Sequence, residues 1–176
     1  MKHYLRYVIS GITTAIITAV IFNGVSANNK KDTRPIVSIG VTTSGSGIIN
    51  VISNPKIGDI DSYTRLAIAA KENNRDGYTK IARVISEAFD DNLKERMSSV
   101  FCSYGISAKS VMVIINSTGK LDAISIPFKP LNGVMPTEAQ VYLIFTKLQN
   151  IISFESWEGE PQYLSLMIGR IPQTCK

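Results

Sequence analysis

The chain has 176 residues, 44% of them hydrophobic, and carries 19 basic against 14 acidic side chains for a net charge of +5. Its single histidine is His3, so Ser-His-Asp and Cys-His nucleophilic centres and histidine-bearing zinc sites are excluded from the rest of the chain. The basic residues are scattered, with Lys30-Lys31 the only adjacent pair, which describes a solvated surface and gives no reason to expect a nucleic-acid partner.

The first 27 residues stand apart. Lys2, His3 and Arg6 precede an uncharged apolar run, and Val25-Ser26-Ala27 supplies a small-residue exit. This is the pattern of a secretory signal peptide cleaved after Ala27. Residues 7–25 are also close to the roughly 20 needed to cross a bilayer, so an uncleaved anchor in the cytoplasmic membrane is the alternative. Both place the remaining chain in the periplasm or cell envelope. Cleavage removes Lys2 and Arg6 and lowers the net charge from +5 to +3.

Residues 28–35 read as a polar linker ending in Pro35. "IVSIGVT" and "IINVIS" then flank "TSGSG", with Val37, Ile39 and Val41 alternating as in a strand. This is a hairpin or a mobile segment. "IDSYTRLAIAAKEN" is a short helix that Asp61 can cap. On this reading residues 28–77 are a linker with a possible hairpin and a short helix, and residues 78–176 are the folded domain.

The domain begins with one long helix over 79–99. Ile81, Val84, Ile85, Ala88, Phe89, Leu93 and Met97 recur at steps of three and four, opposite Arg83, Glu87, Asp90, Asp91 and Lys94. Two alternating strands follow in "SVMVIINSTGKLDAISIPF", joined at Asn116-Ser117-Thr118-Gly119, where glycine suits the left-handed position of a tight turn. Both faces of this hairpin are apolar, because Met112 and Ile114 interleave with Val111, Val113 and Ile115. Thr137 and Gln140 then form a capping-box pattern ahead of the stripe Val141, Ile144, Phe145, Leu148, Ile151 and Ile152. A turn at Glu158-Gly159-Glu160-Pro161 leads to a last strand over 162–168. Helix, strand, turn, strand, helix, strand is an α+β order, a small antiparallel sheet with helices packed on one face. Helices 79–99 and 137–150 would cover the inner face of the hairpin, and residues 36–52 or a partner would cover the other.

Cys102 and Cys175 are the only cysteines, and an even count in an exported chain favours a disulfide between them. Glu87, Asp90 and Asp91, and Glu155, Glu158 and Glu160 near Trp157, are carboxylate clusters of the kind glycoside hydrolysis needs. Charged helix faces and turns have the same composition. "GVTTSGSG" lacks the lysine ending of a phosphate-binding loop, and Asn116-Ser117-Thr118 matches a glycosylation acceptor where a turn wants such residues. No metal or cofactor is expected.

The stretch 109–171 resembles the carboxy-terminal domain of TonB and its relatives, through the alternating strand, the glycine-lysine turn of "NSTGKLDAISI", the amphipathic helix, and the closing turn and strand of "FESWEGEPQYLSLMI". It is most similar to small secreted proteins of Gram-negative anaerobes that carry this fold. The resemblance implies an envelope protein-binding module. The long proline-rich spacer and the membrane-helix histidine of energy transducers have no counterpart here.

The expectation for function is therefore a non-enzymatic module that binds an envelope protein or peptide, or a second copy of itself, through an open sheet edge. The strand 162–168 has no internal charge or proline to blunt its edge. Tyr163, Ser165 and Met167 on that strand, and Trp157 before it, are the candidate contacts. A carboxylate hydrolase using Asp90 or Glu155, or an anchored transducer-like subunit, are the alternatives.

Overall fold

The computed structural model describes residues 34–41 and 45–175. In chain order these form β1 (Ile36–Val41), β2 (Gly47–Ile52), α1 (Ile60–Asn73), α2 (Arg75–Ala88), α3 (Asp91–Ser103), β3 (Ile106–Ser107), β4 (Val111–Asn116), β5 (Leu121–Pro130), α4 (Glu138–Ile151) and β6 (Tyr163–Ile168). The candidate signal peptide or anchor over 1–27 and most of the linker lie outside the described residues. Among the described residues no helix is long and apolar enough to cross a membrane.

The fold is α+β, and its sheet is antiparallel with strand order β1-β2-β5-β4-β6; β3 pairs with the far end of β5. The glycine-serine segment does connect a hairpin. Its second strand continues into the sheet centre, where β2 pairs with β5 from Gly47 opposite Phe128 to Ile52 opposite Ala123. Residues 34–176 consequently form one compact unit, with no boundary at 77/78. The sheet has twice the strands that the hairpin and 162–168 alone would supply.

Register fixes two faces. Val51, Ile124, Val113 and Leu166 form one row across the strands, and Ile52, Ala123, Ile114 and Ser165 form the next row on the opposite face. The first face carries the larger core. It meets Val141, Ile144, Phe145 and Leu148 from α4 and Leu93, Met97 and Phe101 from α3, all nearly inaccessible. The capping box at Thr137 and Gln140 is formed, with the Thr137 N–H donating to Gln140 Oε1 at 2.8 Å.

The second face overturns the expectation of helices on one side only. Ile52, Ile114 and Ala123 are buried there under Tyr63 of α1, which is fully inaccessible. Residues 36–52 do not cover this face; they widen the sheet in its own plane. The physical reason is that a central hairpin apolar on both faces needs a layer on each. α1 covers only one end. Met112 stays partly exposed, and Met167, directly opposite it on β6, is 69% exposed.

Two helix boundaries differ from the sequence reading. Asp59, not Asp61, caps α1, accepting from the Ser62 N–H at 2.6 Å. The single helix over 79–99 is two helices, α2 and α3, broken at Phe89-Asp90. Asp90 caps α3 by accepting from the Leu93 N–H at 2.8 Å. A carboxylate at that position satisfies an orphan donor better than it serves a helix interior, so the chain restarts there.

Cys102 and Cys175 are joined, with Cα atoms 5.2 Å apart. The bond ties the carboxy-terminal tail to α3. Beside it the buried Ser98 Oγ donates to the Pro172 carbonyl at 2.6 Å. The cysteines are 73 positions apart, a loop whose closure is worth about 4 kcal/mol in the chain-entropy account. Replacing both cysteines by alanine should lower unfolding free energy by about that amount in denaturant titrations. Mass spectrometry of non-reduced exported protein should find no free thiol, and two free thiols would refute the bond. Phe145→Ala, at a site 1% exposed, should cost about 3–5 kcal/mol by the same titration.

Candidate functional site

The four candidate partner contacts do not form one surface. Tyr163 packs edge-on against Tyr63 in the second-face core, with ring centroids 5.3 Å apart and planes at 84°. Trp157 packs against the first-face core, and its indole Nε1–H donates to the Pro161 carbonyl at 2.6 Å. Trp157 and Tyr163 thus belong to opposite sides of the sheet. Met167 is exposed on the second face.

Ser165 sits on a closed stretch of edge. The Tyr78 hydroxyl of α2 donates to the Ser165 carbonyl at 3.3 Å and accepts from the Ser165 N–H at 3.2 Å. Both outward backbone groups at the middle of β6 are therefore satisfied inside the chain, and α1 and α2 pack along this strand. An incoming strand would have to displace Tyr78, whose side chain is buried. The expected open edge of β6 is closed at its centre. β1 is the other end of the sheet, and among the described residues no strand pairs with its outer side.

Three of the six clustered carboxylates are committed to local structure. Asp90 is a helix cap, Asp91 lies 3.9 Å from Lys94, and Glu160 accepts from the Gln162 N–H at 3.0 Å. Asn116 uses its side-chain oxygen within the turn, accepting from the Thr118 N–H at 3.1 Å and the Thr118 hydroxyl at 2.6 Å. Among the described residues no three of histidine, cysteine, aspartate and glutamate are placed to hold a metal.

Two groupings were not legible as sites in the sequence. The first surrounds Asp122 on β5. Its carboxylate accepts hydrogen bonds from the Ser53 and Tyr63 hydroxyls, and its carbonyl accepts from the Ser53 N–H at 2.8 Å. Burial first, then the hydrogen bond and charge of Asp122, push the Tyr63 hydroxyl far above the ordinary tyrosine value. Burial and the same charge raise Tyr163. The cluster pins α1 to the second face.

The second is an apolar groove between α2 and the segment after α4. Ile81, Val84, Ile85 and Ala88 line one wall, and Phe154 and Trp157 line the other, around a cavity of about 360 Å³ with Lys80 and Glu155 also at its border. Phe154 is fixed by the ring of Phe89 at 5.3 Å and by its N–H donating to the Gly119 carbonyl at 2.9 Å. The Trp157 N–H donates to the Ser117 carbonyl at 3.0 Å. The hairpin turn is thus the bracket that holds this wall. Gly119 has a φ of 75°, and a Cβ there would lie 2.1 Å from the Phe154 carbonyl oxygen, so both backbone conformation and space demand glycine. A second cavity of about 420 Å³ adjoins through Lys80, lined by Arg75, Asp76, Thr79 and Arg83.

No family model, curated protein or solved structure matches the chain.

Tyr63→Phe should cost about 1.5–3 kcal/mol at neutral pH, the range for a hydrogen bond to a charged group. Because folding raises the Tyr63 pKa, the unfolded chain ionises first as pH rises. The contribution is intact below the ordinary value of 10.0 and declines above it. Denaturant titrations at neutral and strongly alkaline pH should therefore show the gap between wild type and variant narrowing at high pH. A gap that is absent at neutral pH, or constant across both, contradicts this role.

Proposed function

We propose that the protein is an exported, non-enzymatic module that binds an extended protein or peptide segment in the cell envelope by adding it to a sheet edge. The observation that carries this reading is β1. It spans six residues, Ile36–Val41, contains no charge and no proline, and is unpaired on its outer side among the described residues. Soluble proteins ordinarily blunt such an edge, and an extended segment gains backbone hydrogen bonds along it. The edge differs from the one at residues 162–168, because Tyr78 occupies that one.

Three further observations support the reading. The joined cysteines suit an oxidising compartment, as the signal-like amino terminus does. The unit of β4, β5, α4 and β6 follows the strand, turn, strand, helix, strand order on which the resemblance to TonB carboxy-terminal domains rests. Of the six carboxylates weighed for hydrolysis, Asp90 serves a cap, Asp91 an exposed ion pair and Glu160 a turn.

In an antiparallel ladder a residue's N–H and carbonyl point to the same side, and neighbouring residues alternate. Of Ser38→Pro and Ile39→Pro, one therefore removes a β1–β2 bond and the other only an outward donor. A photo-crosslinking residue at Val41, which is 65% exposed, should trap an envelope polypeptide or a second copy in cells. The proline variant that keeps wild-type stability should lose that adduct. No adduct in the parent, or an adduct unchanged in the stable proline variant, overturns the edge as the binding site.

A further inference from the structure

The face of α2 away from the core joins two features that share Lys80. One is the apolar groove walled by Ile81, Val84, Ala88, Phe154 and Trp157. The other is the adjoining cavity bordered by Arg75, Lys80 and Arg83. Among the described residues Arg75, Lys80 and Arg83 have no ion-pair partner, and the ion pair on this stretch of chain is Lys94 with Asp91. Asp76 and Glu155 border the same surface, leaving it net positive. Val84 is 55% exposed although it faces an apolar wall.

We infer that this surface docks an acidic peptide segment that inserts one bulky apolar side chain beside Trp157 and lays flanking carboxylates along Arg75, Lys80 and Arg83. Charge complementarity selects the sign of the ligand. The spacing of the cations selects its form. Arg75 and Arg83 are eight residues apart, about 12 Å along the helix axis. One carboxylate head group, as on a fatty acid, meets one or two of these cations, whereas a chain carrying several carboxylates meets all three. Val84 in the groove lining is exposed to solvent, which suits a side chain presented from a backbone that stays outside. A polyanion without an apolar anchor leaves the groove empty. This site is separate from the β1 edge, which lies at the opposite end of the sheet.

Trp157 is the only tryptophan, so its emission reports on the groove directly. The full-length protein is titrated with a capped peptide of one phenylalanine between two glutamates on each side. Comparison ligands carry lysine for glutamate, or alanine for phenylalanine, and decanoate supplies a single-head amphiphile. The acidic phenylalanine peptide should give a saturable emission change that weakens as salt rises. Arg75→Gln with Arg83→Gln should weaken it about tenfold or more, since two favourable charge pairs are lost. Val84→Asp, which places a like charge in the groove at an exposed position, should abolish it. The stable β1 proline variant should bind the peptide normally, which separates this site from the edge. No saturable change, equal binding of the lysine or alanine peptide, or binding of decanoate alone overturns the proposal.

Discussion

The central hairpin is apolar on both faces, and the rest of the architecture follows from burying both. Val113 and Ile124 sit in one row and Ile114 and Ala123 in the next, and all four are completely inaccessible. A strand pair covered on one side alone would leave the second row in water, at roughly 25 cal/mol for each Å² of apolar surface left uncovered. The chain meets this by dividing its helices. α3 and α4 bury the first face, α1 buries one end of the second, and α2 joins them around the β6 edge. That route brings Tyr78 to Ser165, 87 positions away in sequence, and lets one phenol close the strand edge.

The same hairpin also builds the groove. Its turn is held from inside by Asn116, whose side-chain oxygen accepts from Thr118 and from the Lys120 N–H at 3.3 Å. From outside it is held by residues 153–157, which bond to Ser117 and Gly119 and carry Phe154 and Trp157 to face α2. A substitution at Gly119 would therefore act on the groove wall as well as on the turn, because its missing Cβ is the space the Phe154 carbonyl occupies. Turn chemistry and the shape of a surface 35 or so residues away along the chain are one constraint.

What was legible in the sequence was what short-range patterns determine. The turn at Gly119, the capping box at Thr137 and the stripe of α4 each occupy a few neighbouring residues, and each is formed as read. The break at Phe89-Asp90 was hidden because Ile81, Ile85, Phe89, Leu93 and Met97 keep a four-residue step straight through it. All but the half-buried Ile81 are buried, and the stripe needs no single helix to stay in phase. Asp90 also looks like any solvent-facing carboxylate until its cap is seen. The places of β1 and β2 were illegible for another reason. Alternation identifies a strand but not its neighbour, and β2 pairs with a strand more than seventy positions later. The Asp122 cluster and the groove likewise join residues that no local spacing connects.

The absence of charge and proline in a strand proved to carry two meanings. β6 lacks such gatekeepers because it does not need them: α1 and α2 pack along it and Tyr78 occupies its central donor and acceptor. β1 lacks them as well, yet no described element takes the place of Tyr78 there. Its inward side chains Val37 and Ile39 pack on the larger core, so apolarity on that face is explained by folding. Ile36 and Ser38 on the other face and the unpaired outer backbone are not explained in that way, nor is Val41 at its exposed end. A blunting lysine at Ser38 would cost the core nothing, because that side chain points away from it. The fold therefore permits a protected edge at β1, and among the described residues none is present, which is the physical difference between this strand and β6, whose central donor and acceptor Tyr78 occupies.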